Sequence, residues 1–295
     1  MLSRTTHLLA CFGLAVGLLG CPPKRPASQF PTGQAALDRM KAMFECARGV
    51  QGESKLDHFN DRGRIRGDVQ LFAVDPARLR FDVISPFGVT LATLTSDGQR
   101  FTFFDMKNKV FYEGPPEPCN IGRLTQVTIP ADALVKLLRG EAPLLVHTPQ
   151  APTVRWDNDG KYVVTIPSTH EAVEEVQLEL FDSDYGLPWQ QQRVRVKKIK
   201  VTQRGYEHYT ADLAEHEAAV TMPPRHDSEG IDEDIPPSGP PCNVEVPRKI
   251  HVEMVNRGDD LRLRYQKVGL NPPLPDGIFT QPVPGGVNRQ HVTCR

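Results

Sequence analysis

The fold is decided by the stretch from Arg64 to Asp105, which reads RIRGDVQLFAVDPARLRFDVISPFGVTLATLTSDGQRFTFFD. From Val69 to Ala73, apolar side chains occupy every second position, and polar ones such as Asp68 and Gln70 fall between them. This period of two is typical of a β-strand that buries one face and exposes the other. The alternation returns several times along the stretch. We therefore predict an antiparallel meander with one apolar face.

Turns separate the strands of this meander. Asp75-Pro76, Ser85-Pro86-Phe87-Gly88 and Ser96-Asp97-Gly98 combine residues that turns favour. An aromatic side chain at a turn apex, as at Phe87, is expected to be exposed to solvent. The inward-facing set is predicted to be Val69, Leu71, Leu79, Phe81, Val83, Val89 and Leu91. Such a set can line a ligand cavity or fill a dry core, and the sequence alternates in the same way in both cases.

The first twenty residues are typical of an export signal rather than of a folded domain. Arg4 and His7 precede an apolar run over residues 8–18 that is too short to span a bilayer. The following Leu18-Leu19-Gly20-Cys21 resembles the lipobox of bacterial lipoproteins. The resemblance implies cleavage before Cys21, a diacylglyceryl group on its sulfur, and an acyl chain such as palmitate on the new amino terminus. The alternative is an ordinary signal peptide with a chance cysteine near its cleavage site.

Lipidation at Cys21 predicts a firm membrane anchor, because each buried methylene contributes about 0.8 kcal/mol and two or three chains act together. Beyond the signal, the sequence has no second apolar run long enough to cross a membrane. Pro22 replaces the aspartate that tends to hold such proteins at the inner membrane of enterobacteria. This favours the outer membrane, with the protein facing the periplasm. Residues 21–31 are rich in proline and are predicted to form an extended tether.

The charge balance and the cysteine content argue against some classes of function, nucleic-acid binding and metal binding among them. Lys and Arg total 35 and Asp and Glu total 36, so there is no broad basic field for nucleic acid. Cys46, Cys119, Cys242 and Cys294 suit disulfides in an exported protein. Three pairings are possible, and we favour Cys46 with Cys119 and Cys242 with Cys294 because each pair lies in one half of the chain. Metal ligation is the alternative, but the sequence lacks C-x-x-C and histidines at ligand spacing.

Helical periodicity appears in two segments. Between Thr32 and Ala47, apolar residues recur at spacings of three and four, with Thr32 as the N-cap. Between Pro130 and Gly140, a second apolar segment begins with proline and ends with glycine, as helices favour. Both helices are expected to cover the sheet. We predict a single, mainly β domain over residues 32–295.

The order of several short motifs resembles a known family, the outer-membrane receptor and periplasmic carrier of the bacterial lipoprotein localisation (Lol) pathway. The firm resemblance spans residues 62–145 and includes the strand before the Ser-Pro-Phe-Gly turn. The motifs are Arg78-Leu79-Arg80-Phe81-Asp82-Val83, Ser85-Pro86-Phe87-Gly88, Asp97-Gly98-Gln99-Arg100-Phe101, Ile129-Pro130 and Leu137-Leu138-Arg139-Gly140.

The resemblance implies an incomplete, half-open antiparallel β-barrel with two or three capping α-helices. In the family, the concave face holds acyl chains of lipoproteins or lipids and the protein helps to deliver them to the membrane. An exposed apolar residue in a protruding Pro-x-Gly loop engages the membrane, and this position corresponds to Phe87, between Pro86 and Gly88. The alternative is that Phe87 packs on the barrel rim.

The second half continues the sheet. Asp157-Asn158-Asp159-Gly160 is predicted to be a hairpin turn rather than a calcium loop, because no glutamate closes a loop after it. Between Val194 and Val201, the apolar residues change parity at Lys197-Lys198, which predicts a β-bulge. Residues 223–242 are acidic and rich in proline and are predicted to be an exposed, partly disordered insertion. This insertion is either an inert linker or a docking loop for a partner.

Catalysis finds little support, because the sequence lacks G-x-S-x-G, H-E-x-x-H, P-loop and dinucleotide motifs. We therefore expect no enzyme, no cofactor and no metal. Two hypotheses remain. The protein binds acyl chains in an apolar cavity and helps to deliver them, with a periplasmic carrier or envelope protein as a possible partner. Alternatively, it is a structural or adaptor lipoprotein with a filled core that acts through protein contacts.

Overall fold

The structure, a computed structural model, describes residues 25–61, 63–125, 127–226 and 233–294. The predicted signal segment, the lipidation site Cys21 and part of the 223–242 insertion lie outside the described residues, and these predictions stay predictions. Within the described ranges there are three α-helices, α1 (Gly33–Phe44), α2 (Pro118–Thr125) and α3 (Ala131–Arg139). The strands are β1 (Gly49–Asn60), β2 (Gly63–Val74), β3 (Arg78–Ile84), β4 (Thr90–Ser96), β5 (Phe101–Asp105), β6 (Val110–Gly114), β7 (Thr153–Trp156), β8 (Lys161–Pro167), β9 (Ala172–Leu180), β10 (Val194–Gln203), β11 (Tyr206–Val220), β12 (Asn243–Met254), β13 (Asp259–Leu270) and β14 (Asn288–His291).

All these strands form one sheet in the order β14-β6-β5-β4-β3-β2-β1-β13-β12-β11-β10-β9-β8-β7. Neighbouring strands are antiparallel, except that β14 runs parallel to β6. Because β7 and β14 do not pair with each other, the sheet is not closed into a barrel. The predicted half-open, mainly β architecture with capping helices is confirmed.

The sheet has one face that packs against the helices, which we call the inner face, and an opposite outer face. Inner-face positions alternate along every strand with outer-face positions, as the sequence predicts for a half-buried sheet. The helices α1 and α3 bring a dense apolar layer to the inner face. This core is drawn mainly from Leu37, Met40, Leu71, Leu79, Leu94, Phe101, Leu137, Val164, Val176, Leu178, Ile199 and Leu263.

Both predicted helices are present. Thr32 caps α1, and its Oγ1 accepts a hydrogen bond of 3.1 Å from the backbone N–H of Ala35. The helix ends at Phe44, shortly before the predicted limit at Ala47. Gly140 terminates α3 with a left-handed φ of 94°, a conformation that glycine adopts without a steric penalty. No helix within the described ranges is both long and apolar enough to cross a membrane.

The predicted disulfide pairing is wrong. The structure joins Cys46 to Cys242 and Cys119 to Cys294. Pairing within each half of the chain fails because β13 returns beside β1, so that Leu270 lies opposite Val50 and the segments that flank β1 and β12 meet. In the same way β14 pairs with β6 and brings the carboxyl-terminal cysteine to α2. The helix α2 begins at Pro118 and carries Cys119.

The predicted inward set is wrong in β4. Val89 and Leu91 are 60% and 46% exposed, whereas Leu94 is fully buried on the inner face. The register between β3 and β4 shifts between Val83 and Ile84, so that one residue is left over at the base of the hairpin. Because side chains alternate between faces, a shift of one residue exchanges the inward and outward positions.

Two smaller predictions are resolved in the other half. The bulge in β10 is present, since the register shifts between Val196 and Lys198, and the apolar side chains on both sides of it are buried. Asp157 begins the predicted hairpin turn, and its Oδ1 accepts hydrogen bonds from the backbone N–H groups of Asp159 and Lys161. The carboxyl-terminal tail lies along the edge of the sheet only at β14, which pairs with β6. Its earlier part crosses the outer face, where Gln281 Nε2 donates to Thr102 Oγ1 over 2.8 Å.

Candidate functional site

The inner face holds two cavities on either side of a packed centre. The larger, with a volume of about 330 Å³, lies between the start of α3, the segment 143–146 and the ends of β8 to β11. Its apolar wall includes Ile129, Ala133, Leu144, Leu145 and Val201, and polar residues such as Asp132, His170, Gln203 and His208 also line it. An apolar cavity with a few polar groups is the usual form of a small-molecule site.

Glu174 lies directly behind this cavity and was missed by the sequence analysis. It is fully buried, and its strand neighbour Val201 and its hydrogen-bond partner Leu145 both line the cavity. The Leu145 N–H donates to Glu174 Oε2 over 2.9 Å, whereas Oε1 has no hydrogen-bond partner. Burial raises the pKa of Glu174 to about 7, against the smaller opposing effect of the Leu145 hydrogen bond. The sequence could have indicated this burial, because Glu174 is separated by an even number of residues from Ala172, Val176 and Leu178, which face inward on the same strand.

Tyr209 completes the polar group at the inner end of the larger cavity. It is buried and lines the cavity on β11, opposite Val201 on β10. Burial raises the pKa of its hydroxyl, and the nearby negative charge of Glu174 raises it further. The tyrosine is therefore neutral at physiological pH.

The smaller cavity, of about 60 Å³, lies under α2. It brings together Val69, Phe81 and Val83 of the predicted cavity lining, with Leu56 and Ile65. The other predicted inward residues take no part in it. Leu71 and Leu79 are fully buried in the packed centre, and Val89 and Leu91 are exposed. The predicted lining is thus divided between a small cavity, a filled core and the surface.

Phe87 stands at the apex of the hairpin between β3 and β4 and is 92% exposed. Backbone hydrogen bonds fix the conformation of the turn that carries it. The N–H groups of Gly88 and Ser85 donate to the carbonyls of Ser85 and Val89 over 2.9 and 2.8 Å, and Gly88 has a φ of 79°. The expectation of an exposed apex therefore agrees with the structure, whereas membrane contact by this side chain stays a prediction.

Phe87 belongs to a larger apolar group along one edge of the sheet, where β1, β3, β8, β10 and β12 end. We call this group the apolar edge. Its exposed members are Phe59, Ile65, Phe87, Val89, Leu91, Val146, Val173, Tyr206 and Val255. Among the described residues, the remaining large apolar side chains that are exposed are Val220 and Val283, and Val220 lies at the opposite end of β11 from Tyr206. Both inner-face cavities are lined by residues close to this edge.

Comparison with known proteins gives structural matches without sequence matches. No family model and no curated protein matches the chain. A DUF1329 family protein from Desulfovibrio piger is 8% identical over 84% of this chain and 95% of its own, with a TM-score of 0.50. A putative outer membrane lipoprotein-sorting protein domain from Vibrio parahaemolyticus is 10% identical over 84% and 95%, with a TM-score of 0.45. A LolA superfamily protein from Nitrosomonas europaea is 14% identical over 85% and 98%, with a TM-score of 0.47. At 8% identity, the similarity to the DUF1329 family protein is one of fold alone.

Proposed function

We propose that this protein binds acyl chains of lipids or lipoproteins between its sheet and helices and helps to deliver them to a membrane through the apolar edge. Binding is driven by the burial of apolar surface and involves no covalent chemistry. The larger cavity is the primary site, because its volume is well above that of the smaller cavity and its wall is mostly apolar.

The observation that carries this proposal is the position of the apolar edge. Soluble proteins rarely expose a contiguous group of large apolar side chains without an interaction to explain it. Here nine such side chains lie along the same edge of the sheet as the cavity-lining residues. A chain that leaves the cavity at this edge would pass from apolar protein to the bilayer with little contact with water.

The size of the larger cavity limits what it holds in this conformation. Its volume of about 330 Å³ is at the lower end of the range of roughly 300–1,000 Å³ for small-molecule sites. The centre of the inner face is filled by side chains of α1 and α3. We therefore expect part of one chain to enter, with the rest lying along the apolar edge.

Anchoring is the second part of the proposal. Lipidation at Cys21 would hold the protein at the outer membrane, facing the periplasm, with the residues up to 31 as a tether. This arrangement would keep the apolar edge within reach of the bilayer. It rests on the lipobox and on Pro22.

Native mass spectrometry of residues 25–295, purified from the periplasm without detergent, tests binding. We expect added mass that is lost on delipidation and returns with an acylated peptide or a fatty acyl lipid. Ala133→Phe should abolish this uptake, because Ala133 lines the larger cavity and is nearly buried. The matched control is Ala77→Phe, away from the cavity. Protein that never carries lipid would contradict the proposal.

The adaptor hypothesis is favoured by one observation, the filled centre of the inner face. Leu71, Leu79 and Leu137 are fully buried there and belong to one apolar core. A protein that works through protein contacts needs no cavity. Bare protein in the same experiment, together with a stable protein partner in cross-linking, would support this second function.

A further inference from the structure

A cluster of potential metal ligands lies on the outer face of β12 and β13, on the opposite side of the sheet from the cavities. His251 and Glu253 are two residues apart on β12 and so point to the same side. Asp260 of β13 lies directly opposite Glu253. His251 Nε2 is 3.1 Å from Asp260 Oδ1 and 3.4 Å from Glu253 Oε1. The three ligand atoms lie within 4.8 Å of one another.

The His251 side chain lies close to both carboxylates but does not form a hydrogen bond with either through Nε2. His251 Nε2 is shielded from solvent and makes no hydrogen bond. Among the described residues, His251 is the sole ion-pair partner of Glu253, so this carboxylate has no lysine or arginine beside it. An imidazole nitrogen and two carboxylate oxygens thus converge without a hydrogen bond of good geometry. Unpaired polar atoms of this kind need an explanation, and a bound metal ion is one of the usual ones.

We propose that His251, Glu253 and Asp260 bind a divalent transition-metal ion, for which Zn²⁺ is the best fit. Mg²⁺ and Ca²⁺ prefer sites made of oxygen atoms alone, whereas zinc accepts imidazole nitrogen and carboxylate oxygen together. With zinc–ligand bonds of about 2.0–2.1 Å, the ligand atoms of a tetrahedral site are about 3.3 Å apart. The distances from Nε2 to the two carboxylate oxygens match this spacing.

The surroundings are compatible with such an ion. Arg262, opposite His251 on β13, donates to both carboxylate oxygens of Asp260 over 3.1 and 3.0 Å. Each carboxylate oxygen keeps a further lone pair, so Arg262 can orient Asp260 without displacing the metal. On the other side of His251, Asp212 adds negative charge and is paired with Lys198 over 3.4 Å.

Access to the site is provided by a surface pocket. Asp260 lines a pocket of about 230 Å³ on the outer face, together with Phe59 and Arg64. An ion can therefore approach Asp260 from solvent. Three protein ligands leave a fourth position of a tetrahedral site for water or for a ligand in this pocket.

Isothermal titration of the full chain in detergent with ZnCl₂ tests the proposal. We expect one saturable site that a chelator empties. His251→Ala should weaken the affinity by about tenfold or more, and Glu253→Gln and Asp260→Asn should each weaken it, since each removes one ligand. The matched control is His291→Ala, because His291 is exposed on β14, at the outermost strand of the sheet. Circular dichroism confirms that each variant is folded.

A second probe reports the ligands directly. Co²⁺ in place of zinc should give the visible absorption of a four-coordinate site in the unmodified chain and lose it in His251→Ala. The proposal is overturned if His251→Ala binds zinc as tightly as the unmodified chain does, or if no saturable zinc site is found. Binding of Ca²⁺ alone would also overturn it, because the histidine would then have no role. None of these outcomes depends on acyl-chain binding.

Discussion

Replacing Glu174 by glutamine should remove a large part of the pH dependence of this protein's stability. Glu174 is fully buried on the inner face, and its Oε1 has no hydrogen-bond partner. Burial disfavours an ionised carboxylate in this position more than the Leu145 hydrogen bond and the charge of Lys136 favour it, so folding raises the affinity of Glu174 for its proton. Glutamine keeps the shape and can still accept the hydrogen bond from Leu145, but it cannot ionise.

The magnitude follows from the difference between the folded and unfolded states. Burial raises the pKa of Glu174 from 4.5 to about 7. Between these values the unfolded chain has lost the proton and the folded protein still holds it, so stability falls as the pH rises through this window. At about 1.4 kcal/mol for each pH unit, the loss above pH 7 is about 3 kcal/mol. Below pH 4.5 both states are protonated and the effect disappears.

Urea unfolding of residues 25–295 between pH 4 and pH 8 measures this effect. The free energy of unfolding of Glu174→Gln, minus that of the unmodified protein, should rise by about 3 kcal/mol from pH 4 to pH 8. Other ionisable groups are common to both proteins and cancel in the difference. Glu175→Gln is the matched control, because Glu175 is the next residue on β9 and is exposed on the outer face. Its difference should stay nearly constant.

Two results would refute the reasoning. A difference for Glu174→Gln that does not change with pH would mean that the carboxyl is solvated or paired in the folded protein. A pH-dependent difference for Glu175→Gln instead would mean that β9 is shifted by one residue, since such a shift exchanges the two faces of a strand.

Three further predictions concern the membrane, the disulfides and the anchor. Phe87→Glu should leave the unfolding free energy unchanged and reduce co-flotation with lipid vesicles, whereas Val220→Glu, also exposed but at the opposite end of β11 from Tyr206 of the apolar edge, should not; equal flotation of both would contradict a role for Phe87. Cys242→Ser should lower the unfolding free energy by about 2–5 kcal/mol, because the bond to Cys46 closes a long loop; an unchanged urea midpoint would contradict this. Cys21→Ser should leave the protein unlipidated and release it from the membrane fraction, and normal fractionation would remove the lipoprotein prediction.

Patterns among residues close together in the sequence were sufficient to predict most elements of the fold. The alternation from Val69 to Val83 predicts strands because burial on one face demands a period of two. The cap at Thr32 and the left-handed Gly140 mark helix ends through interactions within a few residues. The change of parity between Val196 and Lys198 marks a bulge for the same reason. Each of these features depends on neighbours in the chain and can therefore be read from the sequence.

The features of the site that the sequence did not predict depend on pairing between segments that are distant in the chain. Val89 and Leu91 follow the alternation, but the register of β4 against β3 turns them outward. Glu174 looks like any strand glutamate until β10 and the segment at Leu145 enclose it. The Ser85-Pro86-Phe87-Gly88 turn predicts the exposure of Phe87, but not that of the eight further apolar residues on the same edge.

The sequence by itself determined the class of the molecule, an antiparallel, half-open sheet with helices on one face. The tertiary structure decided which residues meet. It paired Cys46 with Cys242, buried Glu174 behind the larger cavity, and brought Asp260 of β13 to His251 and Glu253 of β12. The physical reason is the separation along the chain of the residues that interact. Periodicity and caps are set by the next few residues, whereas cavities, disulfides and ligand clusters are set by the strand order and register, which join residues far apart in the chain.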